Sequence, residues 1–310
     1  MKNEKRFPIK TISKLTGLST HVIRAWEKRY HLVNPVRTET NRRLYSEDDI
    51  GYLKLLHEAT RAGHSIGSIA DMDRNALRSL IGKENKKNEA AGSSSIVSRR
   101  EGVAAYLEDA IQALINFDDM MLENILMNAS VELTQPVLID DFVVQLLEKI
   151  GELWRDGTIR IMHEHLATQV IAGFLTNLRR SYRPDPKAPV LVVCTPSGQV
   201  HEMGALTIAL IAASEGWRVV YLGPDLPVVE MAAAVIKEKA RAVALSITYP
   251  GKDFRLNQDL QKLPDMLPSN VQIIIGGRGA ENYQTNSDRN SLTWIKNLDQ
   301  FREFLSSQKW

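Results

Sequence analysis

The sequence contains almost no cysteine and no long hydrophobic run. One cysteine, Cys194, occurs in 310 residues, which excludes an internal disulfide and any metal site built from several cysteines. Because Cys194 falls within an apolar run, we expect a buried, unreactive thiol. No stretch reaches the roughly 18 uninterrupted apolar residues of a membrane-spanning helix, and the polar start MKNEKRFPIK is unlike a signal peptide. We therefore expect a cytoplasmic protein with no membrane partner.

A large net charge is also missing, but the charges that are present are unevenly distributed. Residues 1–75 hold 14 Lys and Arg against 9 Asp and Glu, whereas the remaining residues hold 25 against 28. The net charge of +2 is therefore the sum of +5 in the first quarter and −3 elsewhere. Any affinity for nucleic-acid phosphates is expected in the N-terminal quarter.

The chain is longer than one hydrophobic core usually serves, and its periodicity changes along its length. Residues 1–75 form a basic domain of short helices, and residues 76–100, rich in Gly, Ser, Asn and Lys, are predicted to be a flexible linker. Apolar residues then recur at spacings of three and four over 101–184, which predicts a four-helix bundle. Its predicted helices are 102–115, 118–130, 135–154 and 160–181.

The last segment, 185–310, alternates strands and helices. Nearly continuous apolar runs predict strands at 190–194, 218–222, 242–247 and 271–275. Successive β-α units of this kind build a doubly wound parallel sheet with helices on both faces. The predicted fold is therefore multidomain, with all-α segments followed by an α/β domain.

The basic N-terminal domain contains a helix-turn-helix pattern. Gly17 marks the turn, and Ser19 is placed to cap a second helix over 20–30. Basic and aromatic side chains on this helix, and in the turn-rich wing after it, suit the base edges and phosphates of DNA, although an ordinary solvated face is the alternative. The candidate DNA contacts are His21, Arg24, Lys28, Arg29 and Tyr30 on the helix and Arg37, Asn41, Arg42, Arg43 and Tyr45 in the wing.

These residues resemble a known family. The strings TISKLTGLSTHVIRAWEKRY and PVRTETNRRLYSEDDI are similar to the winged-helix DNA-binding domain of MerR-family transcription regulators, over about residues 7–72. The resemblance implies that the second helix contacts DNA and that Arg37, Arg43 and Tyr45 belong to the wing. MerR proteins usually dimerise through a long helix after this domain. The predicted linker interrupts that position, so we expect assembly through the C-terminal part.

A histidine follows the first strand of the α/β segment. His201 lies three residues before Gly204, at the carboxyl edge of the predicted sheet, and a neutral imidazole is a good ligand for a transition metal. A surface or capping histidine is the alternative. Small and hydroxylated residues end the third and fourth strands, where they would admit a bulky ligand: Ser246, Thr248, Gly276 and Gly277.

This set resembles the cobalamin-binding domain, whose pattern is D/E-x-H-x-x-G, then S-x-L or S-x-T, then G-G. The resemblance implies that His201 is the lower axial ligand of cobalt, with Ser246, Thr248 and the two glycines beside the displaced nucleotide tail. Gln199 departs from the pattern, because it replaces the acid that would orient the imidazole. Its side-chain carbonyl can accept a hydrogen bond but carries no charge.

The helical segment adds a third pattern, Trp154 followed after nine residues by Glu164 and His165. In an isolated bundle these residues would be a core tryptophan and a solvated turn. The spacing resembles the light-sensing cobalamin regulators of the CarH/LitR type, which join a MerR domain, a bundle and a cobalamin domain in this order. The resemblance implies that the bundle covers the adenosyl side of adenosylcobalamin. Arg155 replaces a histidine of that family and cannot ligate cobalt.

We therefore expect a non-enzymatic transcription regulator, a repressor that uses adenosylcobalamin to sense light. The resemblance implies a homo-oligomer, a dimer or a tetramer, that binds double-stranded operator DNA through several modules at once and loosens when light removes the adenosyl group. Two alternatives remain: a regulator that senses cobalamin or another planar ligand without light, and a corrinoid carrier module for methyl transfer.

Overall fold

A computed structural model gives the fold of the chain. It divides into two compact units, Met1–Arg183 and Pro184–Trp310. Within the part of the chain that is described, no helix is both long and apolar enough to cross a bilayer. The structure describes residues 5–38, 40–61, 66–84, 94–249, 251, 253–283 and 292–308.

The first unit begins with a winged helix-turn-helix. Gly17, with φ of 75°, ends the first helix, and the Ser19 hydroxyl caps the second by accepting a hydrogen bond from Val22 N at 3.1 Å. A small antiparallel sheet has the order β1-β3-β2. The elements are β1 (Arg6–Pro8), α1 (Ile9–Thr16), α2 (Thr20–Tyr30), β2 (Val36–Arg37), β3 (Arg43–Ser46), α3 (Glu47–Arg61), α4 (Ile66–Ile69) and α5 (Arg74–Glu84).

The same unit contains the predicted helical bundle. Its helices are α6 (Ser94–Ile115), α7 (Asp119–Glu132), α8 (Val144–Arg155), which continues a π-helical stretch over Val137–Val143, and α9 (Ile161–Ser181). The predicted helices are confirmed, but both ends of the predicted linker 76–100 are helical. The physical reason is that apolar residues such as Leu77 and Leu80 extend α5 into the expected linker. Residues 85–93 lie outside the described part.

The second unit is a five-stranded sheet, all of whose strands are parallel, in the order β5-β4-β6-β7-β8. Four strands follow the prediction, but β8 was missed because it is a short, half-buried edge strand. The elements are β4 (Val190–Pro196), α10 (Met203–Ser214), β5 (Arg218–Leu226), α11 (Val228–Lys237), β6 (Ala242–Ser246), α12 (Phe254–Met266), β7 (Gln272–Gly276), a 3-10 turn (Ala280–Tyr283), β8 (Leu292–Ile295) and α13 (Leu298–Ser307).

The strand order fixes where a ligand can enter. From β4 the chain passes to β5 on one side, and β6 then pairs with β4 on the other side. Such a switch point opens a crevice between the carboxyl ends of the two strands, which is where doubly wound sheets bind ligands. The loops after β4 and β6 line this crevice.

Candidate functional site

The crevice brings together the residues that the sequence placed at strand ends. His201 is exposed in the loop between β4 and α10. Its neighbour Glu202 accepts a hydrogen bond from the Tyr221 hydroxyl of β5 at 2.5 Å. Ser246, at the end of β6, pairs in register with Gly276 at the end of β7. These residues therefore share one edge of the sheet.

Two glycines allow the backbone to pack closely at this edge. A Cβ added to Gly204 would lie 2.7 Å from Ser246 Oγ, so the start of α10 approaches the end of β6 very closely. Gly277 has φ of 103°, and a Cβ there would overlap the Ile247 carbonyl. His201 remains exposed at the same edge. Ser246 is buried, and Thr248, which follows β6, is half-buried.

The loop that carries His201 is fixed from the β5 side by residues that the sequence analysis missed. Asp225 Oδ1 accepts a hydrogen bond from Gly198 N at 2.8 Å, and Asp225 N donates to Thr195 Oγ1 at 2.9 Å. The Thr195 hydroxyl in turn donates to the Gln199 carbonyl. The string Leu222-Gly-Pro-Asp225 at the end of β5 was the available signal, because Gly, Pro and Asp favour turns and Asp commonly bonds nearby backbone there.

Gln199 has a different environment from the one expected. Its side chain is 3% exposed, and its Oε1 accepts hydrogen bonds from Thr248 N and Tyr249 N, both at 2.9 Å. These two bonds occupy both lone pairs of the amide oxygen. The carbonyl that the sequence analysis considered as a hydrogen-bond acceptor near the imidazole is therefore committed to the loop after β6.

One end of the bundle presents an apolar surface, the bundle-end patch. Trp154 is 50% exposed, so it is not the core tryptophan of the alternative interpretation. The Phe117 ring lies 5.6 Å from the His163 ring, centroid to centroid, so the α6–α7 and α8–α9 connections meet at this end. The patch consists of exposed side chains in or next to the two connections: Phe117, Met120, Met121, Trp154, Ile161 and Met162.

The two polar residues predicted for this surface begin α9. Glu164 Oε1 accepts a hydrogen bond from the Thr168 hydroxyl at 2.9 Å, and His165 Nε2 lies 4.0 Å from Glu164 Oε2. His165 is exposed, whereas the His163 Nδ1 caps the helix by accepting from Arg160 N at 3.1 Å. Large exposed apolar groups beside a carboxylate and an imidazole are unusual on a solvated surface and indicate a binding surface.

The predicted DNA contacts separate into exposed and internal residues. Arg24 and Lys28 on α2 are exposed, and so are Arg37, Asn41 and Arg42 in the wing. A hydrogen bond of 2.6 Å joins the side chains of Arg37 and Asn41. The backbone of His21 lies in α2, but its side chain is outside the described part. The exposed residues remain predicted DNA contacts.

Residues in the second half of α2 contact the helical bundle. Arg29 Nη2 lies 2.5 Å from Glu132 Oε1 of α7, and the Trp26 indole N–H donates to the Val131 carbonyl at 3.3 Å. Desolvation by burial raises the pKa of Tyr30, which is also half-buried at this contact. Arg29 and Tyr30 stay predicted DNA contacts, but the Glu132 carboxylate would compete with a DNA phosphate for the Arg29 guanidinium.

Tyr45 is fully buried, which corrects the prediction that it contacts DNA. Its hydroxyl donates to Glu27 Oε2 at 3.1 Å, and burial, followed by the charge of Glu27, raises its pKa well above the usual value. Arg43 Nε contacts the same carboxylate at 2.8 Å. A buried tyrosine and a partly buried arginine therefore hold the wing to α2 through Glu27, and the sequence analysis missed that glutamate.

Three models of known protein families match parts of this chain. Residues 7–76 match the model for the MerR HTH family regulatory protein, residues 189–291 match a B12 binding domain, and residues 106–179 match a second model of the same description. The chain thus combines a MerR helix-turn-helix with B12-binding domains, as a cobalamin-binding, DNA-binding regulator does.

Individual proteins are similar to the chain over different lengths. The chain is 28% identical to the HTH-type transcriptional repressor CarH of Myxococcus xanthus over 286 residues, 92% of this chain and 93% of CarH. It is 26% identical to the repressor CarA of the same organism over 281 residues, 89% of this chain and 88% of CarA. Trimethylamine corrinoid protein 1 of Methanosarcina mazei is 23% identical over 189 residues, 58% of this chain and 85% of that protein.

Proposed function

We propose that the protein is a transcriptional repressor that binds adenosylcobalamin and uses it to sense light. The observation that carries the proposal is the exposed His201 at the switch point between β4 and β6, where Gly204 packs closely against Ser246, in a chain with a basic winged helix. The similarity to the repressors CarH and CarA over about nine-tenths of the chain supports it.

Each group in the crevice has a chemical task in this proposal. The His201 imidazole offers a nitrogen lone pair to cobalt, and the Ser246 and Thr248 hydroxyls are hydrogen-bond partners for the polar nucleotide tail. We assign Trp154 and Glu164, with the neighbouring His165, to the adenosyl side. When bound, adenosylcobalamin supplies a cobalt–carbon bond that light can break.

DNA binding follows from the exposed basic face of α2 and the wing. Arg24 and Lys28 can contact base edges and phosphates, and Arg37 can contact the backbone beside them. A homo-oligomer would present several such modules, so operator affinity rises through effective concentration without new contacts in any module. Loss of the oligomer in light would then release the DNA.

The test loads the purified protein with adenosylcobalamin in darkness and records its absorption spectrum, size by light scattering and DNA retention, before and after green light. The expected result is a bound cofactor whose spectrum, oligomer size and DNA retention all change in light. His201→Ala should weaken cofactor retention by more than about tenfold. Lys237→Ala, an exposed change at the opposite edge of the sheet, is the matched control. Absence of cofactor binding would refute the proposal.

A light-independent cobalamin sensor is the second candidate. Arg155, which cannot ligate cobalt, follows Trp154 at the position where the resembled family has a histidine. The Arg155 side chain is exposed, and its Nε donates to the Gly151 carbonyl at 3.1 Å. The same experiment separates the candidates. Cofactor-dependent DNA retention that is unaltered by light would favour this second function. A corrinoid carrier, favoured by the similarity to the trimethylamine corrinoid protein, would show no DNA retention at all.

A further inference from the structure

Gln199 is a buried polar side chain in the wall of the crevice. Its Oε1 accepts both Thr248 N and Tyr249 N at 2.9 Å, and the side chain is 3% exposed. Buried polar groups of this kind are held in one geometry because an unpaired donor or acceptor is costly there. The position of Gln199 relative to the loop after β6 is therefore strongly defined.

The backbone of the same residue is fixed independently from other directions. Gln199 N donates to the Pro196 carbonyl at 2.9 Å. The Gln199 carbonyl accepts from the Thr195 hydroxyl and from Asp225 N, the latter at 3.3 Å. Gln199 thus joins the loop after β4 to the end of β5 and to the loop after β6, and His201 lies only two positions further along the chain.

An imidazole-orienting role for Gln199 would need a free acceptor. A carbonyl oxygen has two lone pairs, and backbone N–H groups occupy both of them here. Redirecting the oxygen toward His201 would leave the Thr248 and Tyr249 amides without this partner. The geometry favours the link between the loops over tuning of the imidazole.

We propose that Gln199 is a positioning residue that ties the His201 loop to the Thr248 loop, so that the two walls of the crevice move as one. Its effect on cofactor binding rests on the proposed function. The link itself is a property of the protein without cofactor and can be measured there.

The first test measures amide hydrogen exchange of Thr248 and Tyr249 in the cofactor-free protein. Gln199→Met keeps the volume but removes the acceptor, and exchange of both amides should become about two- to tenfold faster. Gln199→Glu keeps an oxygen that accepts both bonds, so protection should return to the wild-type level. His201→Ala should leave these amides unchanged. Unchanged exchange in Gln199→Met would overturn the proposal.

The second test measures retention of hydroxocobalamin by gel filtration and its absorption spectrum. Gln199→Met should retain less cofactor, and Gln199→Glu should restore retention. A Gln199→Glu protein with restored amide protection but a shifted spectrum would instead show an action on the imidazole, which contradicts the proposal. If wild type retains no cobalamin, the proposed function fails while the exchange result still decides the link. If Gln199→Met does not fold, Gln199→Asn, with a shorter side chain, replaces it.

Discussion

Glu132 is predicted to weaken DNA binding by competing for an arginine of the DNA-contacting helix. Arg29 Nη2 lies 2.5 Å from Glu132 Oε1, and the Tyr106 hydroxyl donates to Glu132 Oε2 at 2.6 Å. One guanidinium cannot hold this carboxylate and a DNA phosphate in the same geometry. Glu132→Gln removes the negative charge but keeps an acceptor for Tyr106, so it is a mild perturbation of the bundle.

The expected magnitude follows from exposure. The Arg29 side chain is 47% exposed and that of Glu132 is 31% exposed, so solvent screens their attraction. Ion pairs of this kind contribute about 0.2–1 kcal/mol. Freeing Arg29 from Glu132 should therefore tighten DNA binding by no more than about fivefold, with the largest gain at low salt.

The assay is fluorescence anisotropy with a labelled duplex of generic sequence, because the phosphate term does not depend on sequence. Glu123→Gln, an exposed change on the same helix with the same loss of charge, is the control. The gain should vanish when Arg29→Ala is combined with Glu132→Gln. An equal gain from Glu123→Gln, or a gain that persists without Arg29, would refute the reasoning.

Two further predictions concern buried groups. Tyr45→Phe should lower the free energy of unfolding by about 1 kcal/mol, since it removes the bond to Glu27, while generic DNA affinity stays constant; weaker DNA binding by a stable Tyr45→Phe protein would restore Tyr45 as a DNA contact. Burial raises the pKa of Cys194 from 9.0 to about 12, so the folded state keeps a proton that the unfolded chain loses, and this contribution to stability falls as pH rises past 9.0. Iodoacetamide at about pH 9 should accordingly alkylate Cys194 in urea but not in the folded protein.

The meeting of the motifs at one edge could be predicted from sequence because it depends only on topology. Parallel strands end at the same side of a sheet, so residues after β4 and at the end of β6 must be neighbours whatever their side chains do. The glycine positions follow from the same logic, since the approach of Gly204 to Ser246 needs a missing Cβ. Helix spans were similarly accessible, because the bundle core imposes a regular period.

Side-chain partners could not be predicted in this way. Tyr45 appears to belong to the basic wing because Arg42 and Arg43 precede it in sequence, yet its side chain packs in a core that forms only when the chain folds. Gln199 appears to be a weakened substitute for an acid, because a linear pattern relates it to His201 and not to Thr248. A sequence pattern relates residues by their separation along the chain. Hydrogen bonds depend instead on which groups lie close together in the folded structure.

The bundle-end patch shows why exposure matters more than residue type for a binding surface. Residue type alone would place Phe117, Met120 and Trp154 in a bundle core, yet all three are exposed in or next to the connections between helices. Phe117 lies in the connection between α6 and α7, and Met120 and Trp154 lie at the ends of α7 and α8, so the bundle core does not cover them. Apolar groups that stay exposed at the end of a helix lose the favourable free energy of burial unless another molecule covers them. In the proposed function, the adenosyl side of the cofactor is what covers them.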